Sequence, residues 1–386
     1  MINHKIHDVI ILGAGPAGCL AAFHLARAGA SVLLLEKAAL PRRKVCGGGL
    51  THRTTRELPF DISPVIERVI RSGYLSLAGK QISQVDSADP IAYLVQRPTL
   101  DAYLLAQAQE QGAACRPGLT ARAIRQEDGR IRVQTNREEF QGRYLIGADG
   151  VHSPTARQAG LLTDRRTSLS YEARLRPPIR RSTSQDPVIT FDFGTLLWGY
   201  GWIFPKLDHD NVGVFRSWPG HAATKNHLLR FIRQHPRLSA DRMMDMRAFP
   251  VPLGGAEGDR HKGRLLLAGD AALLADPWLG EGLYYAFASG RMAAESILDH
   301  LSGRIPDLAA YSRRLEDLLV RQMAFARKLS LLVNSFPFLN VAFLSRSPTL
   351  QKMIMDLLRG DRSHSEIWQD IKGHLPRLGL KILTGK

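Results

Sequence analysis

Asp8 to Glu36 reads DVIILGAGPAGCLAAFHLARAGASVLLLE. Val9 to Leu12 is a short apolar run of the length a buried parallel strand needs. It enters Gly13-Ala14-Gly15-Pro16-Ala17-Gly18, the spacing G-x-G-x-x-G, and an apolar helical pattern continues to Ala28, with Gly29 as the stop. Val32 to Leu35 is a second buried strand, and Glu36 ends it. Each glycine has a task if a dinucleotide is bound. Gly13 makes the tight turn, Gly15 lets backbone approach the pyrophosphate, and Gly18 lets the helix pack against the strand. The phosphates would then meet the N–H groups and positive dipole end of the helix. Glu36 stands about twenty residues past the motif, where an acid holds ribose hydroxyls. A solitary G-x-G-x-x-G is often a chance glycine-rich turn. Strand, motif, helix, strand and terminal acid together specify a nucleotide-binding βαβ unit.

The chain of 386 residues is long enough for two domains, or one large domain with an insertion, around ample core. Its compositional departure is charge, a formal +16 with a pI of about 10.1. Such a field favours anionic partners: membrane lipid, nucleic acid or phosphorylated substrates. No nucleic-acid motif accompanies it and aromatic residues do not interleave with the basic ones, so nucleic acid is not an expected partner. A well-solvated, Arg-rich surface is the plainer alternative. Cys19, Cys46 and Cys115 are scattered, with neither a disulfide framework nor metal-ligand spacing, and the histidines show no paired spacing. No metal is expected, and a reducing, cytoplasmic compartment is. The nucleotide-binding strand starts almost at Met1, so no signal peptide is expected. No apolar run reaches the roughly 18 residues of a membrane span.

Outward from the βαβ unit, Pro41 to Leu50 (PRRKVCGGGL) is a basic loop ending in three glycines, and Thr51 to Glu57 opens a helix. Tyr74 to Val95 reads as short strands, with alternation in Ile91 to Val95. Arg97-Pro98-Thr99 caps a helix from Leu100 to Gln111, closed by Gly112. Ala121–Gln126 and Arg130–Thr135 read as strands joined by a hairpin at Asp128-Gly129. Tyr144 to Ile146 is another buried strand, ending at Gly147-Ala148-Asp149-Gly150. From Thr167 to Val251 strands, turns and aromatics replace helical periodicity, the texture of an inserted sheet domain. Leu265 to Leu267 resumes the buried-strand pattern and runs into Ala268-Gly269-Asp270-Ala271. Leu279-Gly280-Glu281-Gly282 then leads into a helix, Leu283 to Leu301. The nucleotide fold is therefore discontinuous in sequence. Arg304 to Lys386 is helical by pattern and contains an apolar stretch, Leu329 to Leu344, interrupted by Asn334, Pro337 and Asn340. From Val320 to Lys386 eleven Lys or Arg face four Asp or Glu. A basic amphipathic tail of this kind suits an anionic membrane surface; an ordinary helical cap on the core is the alternative.

Four separated motifs now agree. GAGPAG with Glu36, the KVCGGGL loop, GADGVHS, and LAGDAALLADPWLGEGLYYAFASG resemble the flavoprotein superfamily that includes aromatic hydroxylases. Within it the chain is most similar to the geranylgeranyl reductase family. Two features carry that narrower resemblance: Cys46-Gly47-Gly48-Gly49-Leu50, and Tyr200-Gly201-Trp202-Ile203-Phe204-Pro205 followed by Gly213, similar to the family's Y-x-W-x-F-P…G-x-G signature. It covers roughly residues 5 to 300. The last glycine of the signature is replaced by Phe215, a departure at the substrate cavity.

The resemblance implies an α/β fold: a Rossmann-type FAD-binding domain (1–75, 96–165 and 262–303), an inserted antiparallel β-sheet substrate domain (76–95 and 166–261), and a helical C-terminal region (304–386). It implies FAD as cofactor. Asp270 would accept from the ribityl hydroxyls, an N-cap role being its alternative. Gly280 and Gly282 would let helix N–H groups face the flavin pyrimidine edge, where they favour the reduced anion. Asp149 would hold a turn touching the cofactor, and Arg97 would reach the cofactor from the start of its helix. Ala17, Glu36, Cys46, Gly47, Gly49, Ala121, Gly282 and Leu283 match family cofactor contacts by position. Cys46 is also the candidate catalytic residue, a thiol beside the flavin with Arg43 and Lys44 placed to lower its pKa; a small residue filling a tight loop is the alternative. Tyr200, Trp202 and Phe204, at period two on one strand, would line the site of an apolar isoprenoid. Packing in the core of the sheet domain is the alternative.

The implied activity is reduction of carbon–carbon double bonds in a polyprenyl chain, with a flavin hydride reaching one alkene carbon and a proton from Cys46 or water reaching the other. No second G-x-G-x-x-G appears, so the electron donor is either NAD(P)H bound transiently or another reductant. The same scaffold also serves monooxygenases, against which the Cys-Gly-Gly-Gly loop argues, and a non-catalytic prenyl-lipid-binding flavoprotein is a further alternative. The expected partners are a prenyl lipid and an anionic membrane surface, the latter as a peripheral association at the inner face. The sequence leaves oligomeric state open.

Overall fold

A computed structural model describes residues 2–127, 129–177, 186–217 and 222–373. Its organising element is the strand Ile2–Leu12, which lies between Val32–Glu36 and Glu139–Gly147, parallel to both. Ala114–Pro117 extends this sheet beyond Val32–Glu36, and Leu265–Leu267 beyond Glu139–Gly147, again in parallel. In register, Leu12 stands opposite both Leu35 and Gly147, and Gly147 opposite Leu267. The ends of four strands that are distant in sequence are therefore level. The loops after them, carrying Gly13, Glu36, Asp149 and Asp270, leave one edge of the sheet together, the edge where open α/β sheets bind ligands.

Helix Pro16–Arg27 packs against Arg97–Glu110 and Leu283–Leu301. The packing is close enough to specify glycine. A Cβ on Gly18 would lie 2.0 Å from the Gly13 carbonyl oxygen, and one on Gly290 would lie 2.3 Å from that of Ala17. Gly13 has φ +103°, and its Cβ would lie 2.4 Å from the Ala148 oxygen. Apolar residues of all five parallel strands and the three helices merge into one core. Helix Leu283–Leu301 coincides with the expectation, whereas Arg97–Glu110 starts ahead of Leu100 because Arg97-Pro98 forms its first turn rather than a preceding cap. In the hairpin at Asp128-Gly129, Asp128 lies outside the described residues.

The second sheet runs in the order Met243–Pro252, Thr167–Leu175, Asp210–Arg216, Gly199–Pro205, Val188–Phe193, Ser72–Leu77, Lys80–Asp86. It is mixed rather than purely antiparallel, because Val188–Phe193 and Ser72–Leu77 are parallel. The physical reason lies in the connection. Antiparallel neighbours can be joined by a tight turn, but these two strands are separated by much of the nucleotide-binding domain, which frees their relative direction. The hairpin begins at Ser72, ahead of the expected boundary at 76. Ala92–Val95, expected in this domain, instead forms a small sheet with Gly49–Thr51 and Ile66–Ile70. That pairing ties the end of the cysteine–glycine loop to the strand leading into Arg97.

Beyond residue 304 the chain forms helices Ala309–Leu315, Arg321–Ser335, Pro337–Arg346 and Pro348–Arg359, and is helical again from 364 to 373. They enclose Trp278 with Leu329, Met353, Leu357 and Ile367, so the C-terminal region packs on the segment preceding Gly280. The Leu329–Leu344 stretch is not one helix; it breaks at Phe336, before Pro337. Among the described residues no single helix is long and apolar enough to cross a membrane. The part of the expected tail at 374–386 lies outside the described residues.

Candidate active site

The level strand ends and the face of the second sheet enclose a cavity of about 530 Å3. Gly13, Gly15, Ala17, Glu36, Cys46, Gly47, Gly49, Arg97, Ala121, Asp149, Asp270, Gly280, Gly282 and Leu283 all border it, as do Tyr200, Trp202 and Phe204 from the other side. Gly18 does not; it serves the helix–strand contact described above.

The nucleotide half has the chemistry of an FAD cradle. A Cβ on Gly15 would project into open cavity, with only an Arg42 guanidinium nitrogen within reach, at 3.8 Å. Glu36 is buried and accepts from the N–H of Ala14 at 2.8 Å and of Ala38 at 3.1 Å, which fixes its carboxylate at the strand end. Asp270 lies in a 3₁₀ turn, Gly269–Ala272, and caps nothing; no hydrogen bond reaches its carboxylate among the described residues. It borders the cavity beside Gly282, whose Cβ would lie 3.6 Å from Asp270 Oδ1. A carboxylate of this kind is an acceptor left for a hydroxylated ligand. Gly282 is the N-cap of helix Leu283–Leu301, so the unpaired first-turn N–H groups begin at the cavity wall. Asp149 acts within its own turn: it accepts from the Ser153 hydroxyl at 2.5 Å and from Thr155 N–H at 2.9 Å. Its part in the site is to hold that turn.

The other half is aromatic. Tyr200, Trp202 and Phe204 share one face of Gly199–Pro205 and stack edge to face or tilted with Phe191 and one another. The Tyr200 hydroxyl donates to the Leu279 carbonyl, and Trp202 Nε1 donates to Asn211 Oδ1 at 2.8 Å. The cysteine–glycine loop lies directly on these rings: a Cβ on Gly47 would be 2.9 Å from Phe204 Cε2. Phe215, in the place of the signature's final glycine, is 2% exposed and packs against Tyr200, Leu253 and the Gly280 backbone. It fills space that a glycine would leave to the cavity.

Cys46 sits between the two halves. Its N–H donates to Glu172 Oε2 at 2.9 Å, and its sulfur accepts from Gly48 N–H at 3.4 Å. Its cationic surroundings differ from the expectation. Arg43 turns away to Asp245, at 2.9 Å, and Glu172. The Lys44 ammonium lies 3.0 Å from the centre of the Phe249 ring, and burial brings it down to about 8. The cation whose charge is most strongly tied to Cys46 is Arg97, which forks onto Asp101 at 2.8 and 3.0 Å. Burial opposes the charge of Arg97, but Asp101 and then Cys46 outweigh it and hold the guanidinium charged. Lys206, buried behind the loop, donates to the carbonyls of Gly48 (2.9 Å) and Val95 (2.8 Å).

Three residues that shape the site are not among the expected site residues, although two of them, Asp276 and Glu281, lie within the LAGDAALLADPWLGEGLYYAFASG motif. Glu172 is buried, and burial raises its carboxyl pKa against the hydrogen bonds from Asn211 and Cys46. Glu281 borders the cavity, and its carboxylate accepts from Thr51 Oγ1 at 2.6 Å and Arg53 Nε at 3.1 Å. Asp276 accepts from Trp278 and Leu279 N–H groups and pairs with His364 at 2.8 Å, tying the Leu279–Gly282 segment to the C-terminal helices. An acid at an inward position of an alternating strand was the available signal for Glu172; the partners of Asp276 and Glu281 carry none locally.

Residues 7–176 match the family described as FAD binding domain. The menaquinone reductase of Mycobacterium tuberculosis is 33% identical over 86% of this chain and 84% of its own length. The digeranylgeranylglycerophospholipid reductase 1 of Methanopyrus kandleri is 30% identical over 90% of this chain and 96% of its own. This chain belongs to the geranylgeranyl reductase family of FAD-dependent oxidoreductases. A geranylgeranyl bacteriochlorophyll reductase-like structure from Thermoplasma acidophilum, 24% identical, superposes with a TM-score of 0.78 over 96% of this chain and 99% of that one. The fold is thus shared along almost the whole length, including the helical C-terminal region. In this family member the residues that would hold FAD are Gly13, Gly15, Glu36, Asp270 and the Gly280–Leu283 segment, and the site's donor set fits that group.

Proposed function

We propose that the protein reduces carbon–carbon double bonds of a polyprenyl lipid. The observation that supports this reading is the direct contact of the Cys46–Gly49 loop with Trp202 and Phe204, so that the thiol and these aromatic rings border the same cavity. Bound FAD supplies the hydride. The chain's residues do the rest. Asp270 and Glu36 hold hydroxyls, and the N-terminus of helix Leu283–Leu301 favours negative charge beside it. Tyr200, Trp202 and Phe204 give an apolar, water-excluding surface for an alkene chain. Cys46 holds a proton at Sγ for the second alkene carbon. NAD(P)H is the proposed source of electrons, with a quinol or protein reductant in its place if NAD(P)H fails to reduce the flavin.

The test is anaerobic. The purified flavoprotein is reduced, prenyl lipids are added, and the flavin spectrum and product masses are followed. Stoichiometric reoxidation with a product heavier by two hydrogens supports the reading; reoxidation only on admitting oxygen, with a hydroxylated product, would make the protein a monooxygenase. The exposed Phe336 and Phe338 and the net basic tail support a second part of the proposal, peripheral attachment to an anionic membrane surface from which such a lipid would be drawn.

A further inference from the structure

The aromatic wall of the cavity has a blunt end, and Phe215 makes it. Strands Gly199–Pro205 and Asp210–Arg216 are antiparallel neighbours, with Phe204 opposite Asn211, Trp202 opposite Gly213 and Tyr200 opposite Phe215. Residues two apart on a strand share a face. Asn211, Gly213 and Phe215 therefore stand on the cavity side, while Val212 and Val214 turn to the far side and pack with Leu228 and Phe231 of helix Lys225–Gln234. Each of the first three treats the aromatic wall differently. Asn211 accepts the Trp202 indole N–H at 2.8 Å. Gly213 lets the indole lie directly on the strand, since a Cβ there would be 2.0 Å from Trp202 Cζ2. Phe215 does the opposite and adds a ring to the cavity lining.

That ring reaches across to the nucleotide-binding domain. Its centre lies 5.9 Å from that of Tyr200, at an interplanar angle of 65°. A Cβ on Gly280 would lie 3.3 Å from Phe215 Cδ1 and Cε1 and 3.4 Å from the Tyr200 hydroxyl. Two rings and the Gly280 backbone thus close the cavity together, with Leu253 buried against Phe215. The other direction is different. Beyond Phe204 the lining continues through Ile91, Ala92 and Ile189, which pack with Phe204 and Phe191. The Cys46–Gly49 loop touches the wall at Trp202 and Phe204. The closed end, level with Tyr200, is therefore one pleat past Trp202, about 7 Å along the strand.

The closed end suits an apolar group. The Tyr200 hydroxyl and the Gly280 N–H already donate to the Leu279 and Asp276 carbonyls, and the side chains of Phe215 and Leu253 have no polar atom. A polar head pushed against them would lose its water without replacement. The hydrocarbon tail of a chain loses nothing there and gains contact.

We propose that Phe215 determines which double bond is reduced, by stopping the tail end of a prenyl chain at the Gly280 wall and so holding the bonds nearest that end level with the Cys46 loop. This rests on the reading of the protein as a polyprenyl reductase and assigns its choice of bond to one side chain. Phe215 meets the end of the chain and takes no part in hydride or proton transfer. A benzyl side chain fills somewhat more space than one isoprene unit. Without it the chain slides deeper and the next bond toward the head comes level with the loop.

The experiment compares the wild-type holoprotein with Phe215→Ala and Phe215→Leu. The probes are farnesol, geranylgeraniol and their diphosphates, each below micelle-forming concentration. The position of saturation is read by fragment masses after anaerobic reaction with the reduced protein. Affinity is read from the flavin absorbance of the oxidised protein. Wild type is expected to saturate the bonds nearest the tail end. Phe215→Ala is expected to saturate one isoprene unit nearer the head, alone or in addition. Its preference for the geranylgeranyl over the farnesyl chain should rise at least about tenfold, because each further buried methylene favours the longer chain. Phe215→Leu should move both readouts the same way by less. Melting temperature and flavin content report folding; if Phe215→Ala loses its flavin, Phe215→Leu carries the test. An unmoved position with a length preference within about twofold of wild type overturns the stop. So does equal weakening of both chain lengths, which would be a packing effect, or wild-type saturation confined to the head end. If the underlying reading fails instead, no probe reoxidises the reduced flavin in any of the proteins, and the length preference still decides whether Phe215 ends the cavity.

Discussion

The backbone N–H of Cys46 donates to the carboxylate of Glu172, 2.9 Å away, joining the nucleotide-binding domain to the substrate sheet at the residue proposed to hold the proton. The loop is thereby fixed through its backbone, and again by Lys206 on Gly48; the thiol's one backbone contact, with Gly48 N–H at 3.4 Å, is weak. Cys46→Ala is therefore expected to retain fold and flavin. As general acid the thiol contributes about 100-fold or more, so anaerobic reoxidation of the reduced flavin by a prenyl substrate should slow by that factor. Cys46→Ser should recover part of it. A wild-type rate and product in the alanine variant would reduce Cys46 to a spacer and hand the proton to water.

Asp270 gives a cleaner test of the cofactor site, because its carboxylate has no hydrogen-bonding task within the described protein. Asp270→Ala should cost little stability in the absence of flavin. In its presence the loss of hydrogen bonds to a charged acceptor, about 1.5–3 kcal/mol each, should weaken FAD by tenfold or more. Asp270→Asn, which keeps an acceptor without charge, should fall between. The measurement is FAD affinity by fluorescence quenching on the apoprotein, and full affinity in Asp270→Ala would remove the residue from the site.

The pair Asp276–His364 makes the Leu279–Gly282 segment at the cavity wall sensitive to acid. Burial works against the Asp276 charge, but His364 and then Arg53 outweigh it and hold the carboxyl down to about 2. In the unfolded chain it titrates near its ordinary value of about 3.9. Between those values the unfolded state binds more protons, so stability rises with pH across that window. The contribution is complete above pH ~4 and is lost as pH falls toward ~2. Asp276→Asn should melt lower than wild type above pH ~4, since holding a carboxyl down from about 3.9 to about 2 is worth about 2–3 kcal/mol. The gap should close between pH 4 and 2. Parallel melting curves through that range would show that the pair carries no pH dependence.

What was legible in the sequence was local. The loops bearing Gly13, Glu36, Asp149 and Asp270 each announce themselves as a small polar turn after a short apolar run. Their convergence follows once those runs are parallel neighbours in register. The period-two spacing of Tyr200, Trp202 and Phe204 likewise places them on one face without knowledge of their partners. What was not legible depends on pairing across long sequence separations. Ala92–Val95 has the alternation of a strand in either sheet, and only its partner Gly49–Thr51 decides which. Arg43 and Lys44 neighbour Cys46 in sequence, yet Asp245 and Phe249 take up their cationic ends, and Arg97, distant in sequence, is brought to act on the same thiol. Glu172 facing Arg247 and Asp276 facing His364 follow from register and from helix docking, which composition does not encode.

The last prediction concerns the membrane. Phe336 is 68% and Phe338 59% exposed where the tail helix breaks, and Leu197 is 57% exposed nearby: Gly194 lies against the Phe338 ring, and Arg216 holds the Leu197 carbonyl at 2.8 Å. Apolar side chains beside cations match the boundary between acyl chains and anionic headgroups. The protein should therefore bind vesicles containing anionic lipid and bind neutral ones weakly. Raising salt should weaken the anionic case, since charge attraction is screened over about 8 Å at physiological ionic strength. Burying a phenylalanine side chain is worth about 1.5–3 kcal/mol, so Phe336→Ser with Phe338→Ser should lower vesicle affinity at least tenfold. Both positions are solvent-facing, so melting temperature and flavin content should not change. Negligible and equal binding to anionic and neutral vesicles at low salt would sink the attachment, and binding that survives the double variant would move it to another surface.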